Sequence, residues 1–172
     1  MKFVRSASLL FCFAALSAVS LSLAADASAD KKADAVKKEL KKFTGKWEFV
    51  SMMRNGERKS TGSRTELRVI YTDDGKFVVE VDNFELASGS IKIDPAAKPK
   101  TLEMTFKTND GDEQNFVGIY EIDDKEQRIC HNKNGEKELP KAFESKSGSG
   151  YTLSVLKRAK EEKKEEKKEE KK

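Results

Sequence analysis

The fold of this chain is decided by residues 64–82, RTELRVIYTDDGKFVVEVD. Apolar residues hold every second position on both sides of the turn sequence Asp73-Asp74-Gly75: Leu67, Val69 and Tyr71 before it, and Phe77, Val79 and Val81 after it. Because successive side chains of a strand point to opposite faces, this alternation predicts two strands with one buried face each. The turn between them predicts an antiparallel hairpin.

The period of two continues on both sides of this hairpin. It recurs in KWEFVSMMR, where Trp47, Phe49, Ser51 and Met53 are expected to share a face, and then in NFELAS, SIKI, TLEMTF, QNFVGIYEI, QRICHN and YTLSVL. Around Gly89 the apolar parity shifts, which predicts a bulge or bend there. About eight short strands with no intervening crossover helix predict an all-β fold, either an antiparallel sandwich or an up-and-down barrel. Because one face of these strands is nearly all apolar, we expect them to close into a small antiparallel up-and-down barrel.

A different period marks the segment before the barrel. In residues 31–43, KKADAVKKELKKF, the apolar positions Ala33, Val36, Leu40 and Phe43 follow the spacing of an amphipathic helix that packs against the domain. The remaining boundaries follow from composition. We expect a linker and helix over 25–43, the barrel domain over 44–158, and a low-complexity Glu/Lys tail over 159–172 that forms no packed structure.

The first segment, residues 1–24, has the anatomy of a cleaved signal peptide. Lys2 and Arg5 precede an apolar run that ends in small residues before Ala25. The run is too short and too poor in bulky residues for a membrane span. We therefore expect an exported protein, periplasmic or extracellular, without stable membrane insertion after cleavage. The formal net charge of +4 includes Lys2 and Arg5 and falls to +2 without them, which argues against a nucleic-acid partner.

Cys130 and the single histidine, His131, are the residues that most suggest a reactive site. Adjacent strand residues point to opposite faces, so the two are not expected to serve one site. A nucleophilic cysteine needs a base and an orienting group, and a zinc site needs three or four ligands. We expect no catalytic residues, no metal and no cofactor, and a Cys130 packed as a small hydrophobe. A monomer is expected, and an intermolecular disulfide through Cys130 is the alternative.

Several longer motifs occur in order along the chain: LKKFTGKW from residue 40, IKIDPAAKPKTLEMTF, GIYEIDDKEQRIC, LPKAF and VLKR. Together, over roughly residues 40–158, they resemble the lipocalin-like domain family of exported bacterial proteins abundant in planctomycetes, to which no function is attached. The matching positions are Asp94, Pro95, Pro99, Lys100, Gly118, Tyr120, Cys130, Pro140, Phe143 and Arg158. Two positions depart from the family pattern: Gln127 stands where leucine is usual, and Leu139 stands where arginine is usual.

The resemblance implies a structural role for three residues. In lipocalins an arginine from the end of the last strand covers the indole of the Gly-x-Trp motif. Gly45, Trp47 and Arg158 are the corresponding positions here, and we expect them to close one end of the barrel. An arginine over an indole face contributes about 0.5–2 kcal/mol.

The interior of a small barrel either is filled by side chains or holds one small ligand. The first function we expect is the binding of a small apolar molecule, and the second is a filled barrel that acts as a structural or protein-interaction domain in the cell envelope. An enzyme is not expected. The expected interior residues are Trp47, Phe49, Leu67, Val69, Phe77, Val79, Leu102, Met104, Phe106, Phe116, Tyr120, Leu153 and Val155. A cavity of roughly 300 Å³ or more would favour ligand binding.

Overall fold

The structure is a computed structural model that describes residues 22–59, 66–133 and 135–160. The signal-peptide prediction falls mainly on residues 1–21, and the tail prediction falls mainly on residues 161–172, so both lie outside the described residues. The chain divides into two compact units, 1–33 and 34–172. Of the first unit, the structure describes the beginning of a helix. The second unit contains the end of that helix and every strand.

The elements, in chain order, are one helix and nine strands among the described residues. They are α1 (Ser22–Phe43), β1 (Gly45–Arg54), β2 (Glu57–Lys59), β3 (Leu67–Tyr71), β4 (Lys76–Val81), β5 (Phe84–Asp94), β6 (Thr101–Thr108), β7 (Glu113–Ile122), β8 (Glu126–His131) and β9 (Thr152–Arg158). Helix α1 begins well before the start predicted at residue 31, and it occupies the segment expected to be a linker.

The strands form one closed antiparallel barrel. Each strand from β3 to β8 pairs with the next, and β1 pairs with both β3 and β9, which closes the sheet. The short strand β2 pairs only with the last residues of β1, so it extends the sheet and leaves an eight-stranded barrel. This confirms the prediction of an all-β up-and-down barrel. Closure satisfies the backbone groups that an edge strand would leave unpaired.

The hairpin that decided the fold prediction is β3–β4. Leu67 pairs with Val81 and Tyr71 pairs with Phe77, in unbroken register. Gly75 in the connecting turn has a φ of 82°, which a glycine adopts without steric cost. Thr72 and Lys76 both donate hydrogen bonds to the Asp74 carboxylate in that turn. The alternation of residues 64–82 therefore became two paired strands, as predicted.

The last ten residues of α1 cover one end of the barrel. Phe43 is buried in the core, and Val36 and Leu40 pack against the same core from the helix. Glu39 has only 8 % of its side chain exposed. It forms ion pairs with Lys42 on the helix and with Lys100, the residue that immediately precedes β6. Burial would raise the pKa of Glu39, but its hydrogen bonds to Lys100 and Lys42 lower that pKa below its usual value. We call the covered end the helix end and the opposite end the far end.

Two bulges change which residues face inward. On β1, Phe49 pairs with Leu156 and Ser51 pairs with Val155, so Val50 is an extra residue. The predicted common face of Trp47, Phe49, Ser51 and Met53 is therefore wrong beyond Phe49. A bulge moves every later side chain of the strand to the other face, and the inward residues after it are Met52 and Arg54.

The second bulge lies on β5. Val79 pairs with Ala87 and Glu80 pairs with Glu85, so Leu86 is the extra residue and is 45 % exposed. The change of parity predicted around Gly89 thus occurs earlier, at Leu86. Gly89 itself lies in regular pairing opposite Phe106, where a Cβ atom would lie 2.2 Å from the Thr105 carbonyl oxygen. Glycine is required there by the close approach of the neighbouring strand.

Candidate functional site: the barrel cavity

A cavity of about 260 Å³ lies inside the barrel. This is slightly below the roughly 300 Å³ at which small-molecule pockets usually begin. Most of its wall is apolar: Phe49, Met52, Val69, Tyr71, Phe77, Val79, Met104, Phe106, Phe116, Ile129 and Leu156. The barrel is therefore filled at the helix end and hollow beyond it, with space for a small molecule.

Seven of the predicted interior residues line this cavity. They are Phe49, Val69, Phe77, Val79, Met104, Phe106 and Phe116. Three more, Trp47, Leu102 and Tyr120, are fully buried at the helix end and belong to the packed core, outside the cavity wall. Leu67 is partly buried at the far end and does not line the cavity.

The prediction for Leu153 and Val155 was wrong, because β9 has the opposite orientation. Thr152, Ser154 and Leu156 are the buried, inward residues of this strand. The apolar pattern misled because the outer face of β8 and β9 is covered as well. Residues 136–145 fold over it: the Asn132 amide donates a hydrogen bond of 3.0 Å to the Glu138 carbonyl, and Pro140 is fully buried. Leu153 pairs with Cys130 under this covering segment.

Cys130 and His131 lie on opposite faces of β8, as predicted. The Cys130 thiol is buried on the outer side and donates a hydrogen bond to the Glu144 carbonyl at 3.4 Å. Burial raises the pKa of the Cys130 thiol, which disfavours the reactive thiolate. His131 lines the cavity instead. The structure therefore separates the two residues.

Polar residues of the cavity wall gather at the far end. Arg54 at the end of β1 pairs with Thr152, which also pairs with His131 of β8, so the three are neighbours across β1, β9 and β8. Gln114 on β7 lines the same cavity. Burial lowers the pKa of His131, and the Arg54 guanidinium lowers it further. A hydrogen bond to the Asn132 carbonyl raises this pKa, but the net shift is downward.

Sequence reasoning missed this polar group of side chains. For His131 a signal was available, since it has the same parity as Ile129 on a strand whose intervening residue is Cys130. For Arg54 there was none, because it turns inward only through the bulge at Val50. The inward orientation of Thr152 and Ser154 was not predicted, because the apolar residues Leu153 and Val155 were expected to face inward instead. Those two residues face the covering segment.

The helix end contains the contact expected among Gly45, Trp47 and Arg158. The Arg158 guanidinium lies 4.3 Å from the centre of the Trp47 ring, and Trp47 is completely buried. A Cβ atom on Gly45 would lie 3.0 Å from Nη1 of Arg158, which explains the glycine. The guanidinium also donates hydrogen bonds to the carbonyls of Lys42 at 2.8 Å and Thr44 at 2.9 Å. These acceptors are at the end of α1, so one residue closes the barrel and caps the helix.

Gln127 and Leu139 have different environments. Gln127 is completely buried at the helix end beside the Tyr71 hydroxyl, and neither polar atom of its side chain has a well-formed hydrogen bond within the described part of the chain. Leu139, in contrast, is 39 % exposed on the covering segment.

Two further classes of site can be reported for the described residues. No group of three or more His, Cys, Asp or Glu side chains among them is arranged to hold a metal ion. No helix within residues 22–59, 66–133 and 135–160 is long and apolar enough to cross a membrane. In comparisons with protein-family models, curated proteins and solved structures, none matched this chain.

Proposed function

We propose that this protein binds a small, mainly apolar molecule inside its barrel. The observation that carries the proposal is the 260 Å³ cavity whose wall is built from apolar side chains of β1, β3, β4, β6, β7, β8 and β9. Apolar surface gains about 25 cal/mol for each Å² removed from water, and a preformed barrel orders few new groups on binding. No reactive constellation accompanies the cavity in the described residues, so the role proposed is binding and not catalysis.

The size of the cavity limits the ligand. Space of 260 Å³ corresponds to about nine water-sized groups at roughly 30 Å³ each. A linear alcohol therefore fits until its chain reaches about eight or nine carbons. Each buried methylene contributes about 0.8 kcal/mol, so affinity should rise about fourfold for every carbon until the cavity is full and then level off.

The test is a calorimetric titration with linear alcohols from butanol to dodecanol. Ser154→Leu reduces the cavity from its wall and should shorten the longest chain that still gains affinity. Ser88→Leu is the matched control, because Ser88 is exposed on the outer face of β5. Absence of binding by every alcohol would contradict the proposal, as would an identical chain-length profile in the Ser154→Leu protein.

A second function, a protein-interaction domain in the cell envelope, is supported by a separate observation. Phe84 is 75 % exposed at the start of β5, where an apolar ring in water is unfavourable unless a partner covers it. A photo-crosslinking amino acid at position 84 should capture a partner in cells, whereas the same group at the exposed Lys92 of β5 should not. Equal capture from both positions would argue against this function.

Export is part of both proposals and is supported by the signal-peptide pattern of residues 1–24. Mass analysis of the protein recovered from cells should show a chain that begins near Ala25. Recovery of a chain that still begins at Met1 would contradict export.

A further inference from the structure

The cavity wall is asymmetric, and the asymmetry bears on which ligand it would hold. Arg54, Gln114, His131 and Thr152 all lie toward the far end, whereas the floor at the helix end is made of apolar and aromatic side chains. Arg54 is exposed to solvent, whereas Gln114 and His131 are half-buried and Thr152 is buried. A ligand that is apolar throughout would leave the last three groups facing hydrocarbon. Unpaired polar groups oppose binding when water is excluded from them. The wall therefore matches an amphipathic ligand.

The positive charge of Arg54 determines which charge the headgroup of the ligand should carry. Arg54 is the direct cross-strand partner of Glu57, but the Glu57 carboxylate forms its ion pair with Lys59. None of the ion pairs among the described residues includes Arg54. A guanidinium carries donors only and keeps its charge at every physiological pH. Its best partner is an anion with two oxygens, which it binds through two parallel hydrogen bonds.

His131 adds a nitrogen that responds to an anion. Its Nδ1 lies 2.8 Å from the Asn132 carbonyl oxygen, which can only accept, so Nδ1 carries a hydrogen and Nε2 is the remaining nitrogen. The ring lies edge to face with Phe116, with centroids 4.7 Å apart, which holds it against the cavity wall. Among the described residues that line the cavity, the charged side chain near the ring is that of Arg54 on β1, while Gln114 on β7 and Thr152 on β9 are uncharged.

We propose that the far end of the cavity binds the carboxylate of a small monocarboxylic acid, with Arg54 as its main partner and the apolar chain of the acid in the cavity. This inference rests on the proposed binding function and specifies the class of ligand. A single cation in the wall matches a single negative charge, and a phosphate dianion would lack a second cation. Cationic amphiphiles are excluded by repulsion from Arg54.

The test compares octanoate with octanol by calorimetry at one pH and ionic strength. The two probes have the same chain and differ in the headgroup. Because Arg54 is exposed, solvent weakens its ion pair with a carboxylate, and octanoate should bind about two- to fivefold more tightly than octanol. In Arg54→Gln the preference for octanoate over octanol should disappear. Arg58→Gln is the matched control, since Arg58 is exposed on β2 and does not line the cavity.

A second readout uses the single histidine of the chain. An NMR titration of the His131 ring should give a higher pKa with octanoate bound than in the free protein, because a carboxylate beside the ring favours the imidazolium. Octanol should leave the pKa of His131 where it is or lower it. The Arg54→Gln protein should lose the octanoate effect together with the affinity.

The outcomes separate the inference from the function on which it rests. Equal affinity of the native protein for octanoate and octanol would overturn the carboxylate site and leave the binding function in place. Retained octanoate preference in Arg54→Gln would overturn the assignment to Arg54. If neither probe binds, both the carboxylate site and the cavity-binding function are wrong.

Discussion

The two ends of the barrel are built from the same strands and have opposite interiors. At the helix end, Trp47, Leu102 and Tyr120 are fully buried and Phe43 of α1 fills the space between them. At the far end, the corresponding space is a cavity with Arg54 and His131 in its wall. The backbone of an eight-stranded barrel permits either arrangement. The end with a helix over it is filled by buried side chains, and the other end encloses the cavity.

The two ends also use their arginine side chains differently: Arg158 at the helix end is half-buried, and Arg54 at the far end is exposed. Arg158 at the helix end donates to three backbone carbonyls and contacts the Trp47 ring, so its donors are used within the protein. Arg54 at the far end has no such partners among the described residues. Arg158 therefore stabilises the helix end, whereas the donors of Arg54 can contact the proposed ligand. This contrast leads to four predictions, in order of decreasing effect.

Trp47→Ala should destabilise the protein most, by about 3–5 kcal/mol, because it removes a fully buried indole from a close-packed end. Met104→Ala, in the wall of the existing cavity, should cost about 2 kcal/mol or less, since Met104 is only partly buried. Urea unfolding of both variants measures the difference. Equal losses of unfolding free energy would show that the two ends are packed alike.

Arg158→Met should lower the unfolding free energy by about 2 kcal/mol. It removes the cation from the Trp47 ring and leaves the carbonyls of Lys42, Thr44 and Asp124 without their donor. Arg158→Lys keeps the charge and should recover only part of this loss, because an ammonium cannot reach three separated acceptors. Unfolding free energies from urea titration decide the case, and full recovery in the lysine variant would contradict the capping role.

The stability of the protein should fall as the pH is lowered from 7.5 to 5, in part because of His131. Its pKa in the folded state lies below the unfolded value of 6.5, so the unfolded chain takes up the proton first. The stabilisation is complete above the unfolded pKa and is lost as the pH falls through the folded pKa. His131→Gln should flatten the pH dependence of the urea midpoint in this window. An unchanged slope would show that His131 is solvated.

The smallest effect is expected at Cys130, which should not react with a thiol reagent in the native protein. Its side chain is fully buried under the covering segment, and burial raises the pKa of its thiol. The urea-unfolded protein should react at once. Ser88→Cys provides an accessible thiol on the outer face of β5 as the positive control. Fast labelling of native Cys130 would mean that residues 136–145 open readily.

Strand pairing and the surroundings of the outer face explain both the correct and the wrong predictions of inward-facing residues. Alternation placed Val69, Phe77, Val79, Leu102, Met104 and Phe106 on the inner face correctly, because their strands pair in regular register. It failed for Leu153 and Val155, where a loop covers the outer face and makes both faces partly apolar. It failed for Arg54 because one extra residue at Val50 reversed the parity. A one-residue shift moves the whole side-chain set to the other face, and local sequence does not mark it.

Read by itself, the sequence determined the antiparallel barrel, its turns, the helix before it and the separation of Cys130 from His131. These follow from the two-residue period of strands, the 3.6-residue period of helices and the backbone preferences of turn residues, which act over short distances along the chain. Only the tertiary structure decided that one half of the barrel is filled and the other hollow, and that Arg54, Thr152 and His131 meet there. Those facts depend on how side chains from distant strands share one volume, and on a bulge whose effect appears only when the strands are paired.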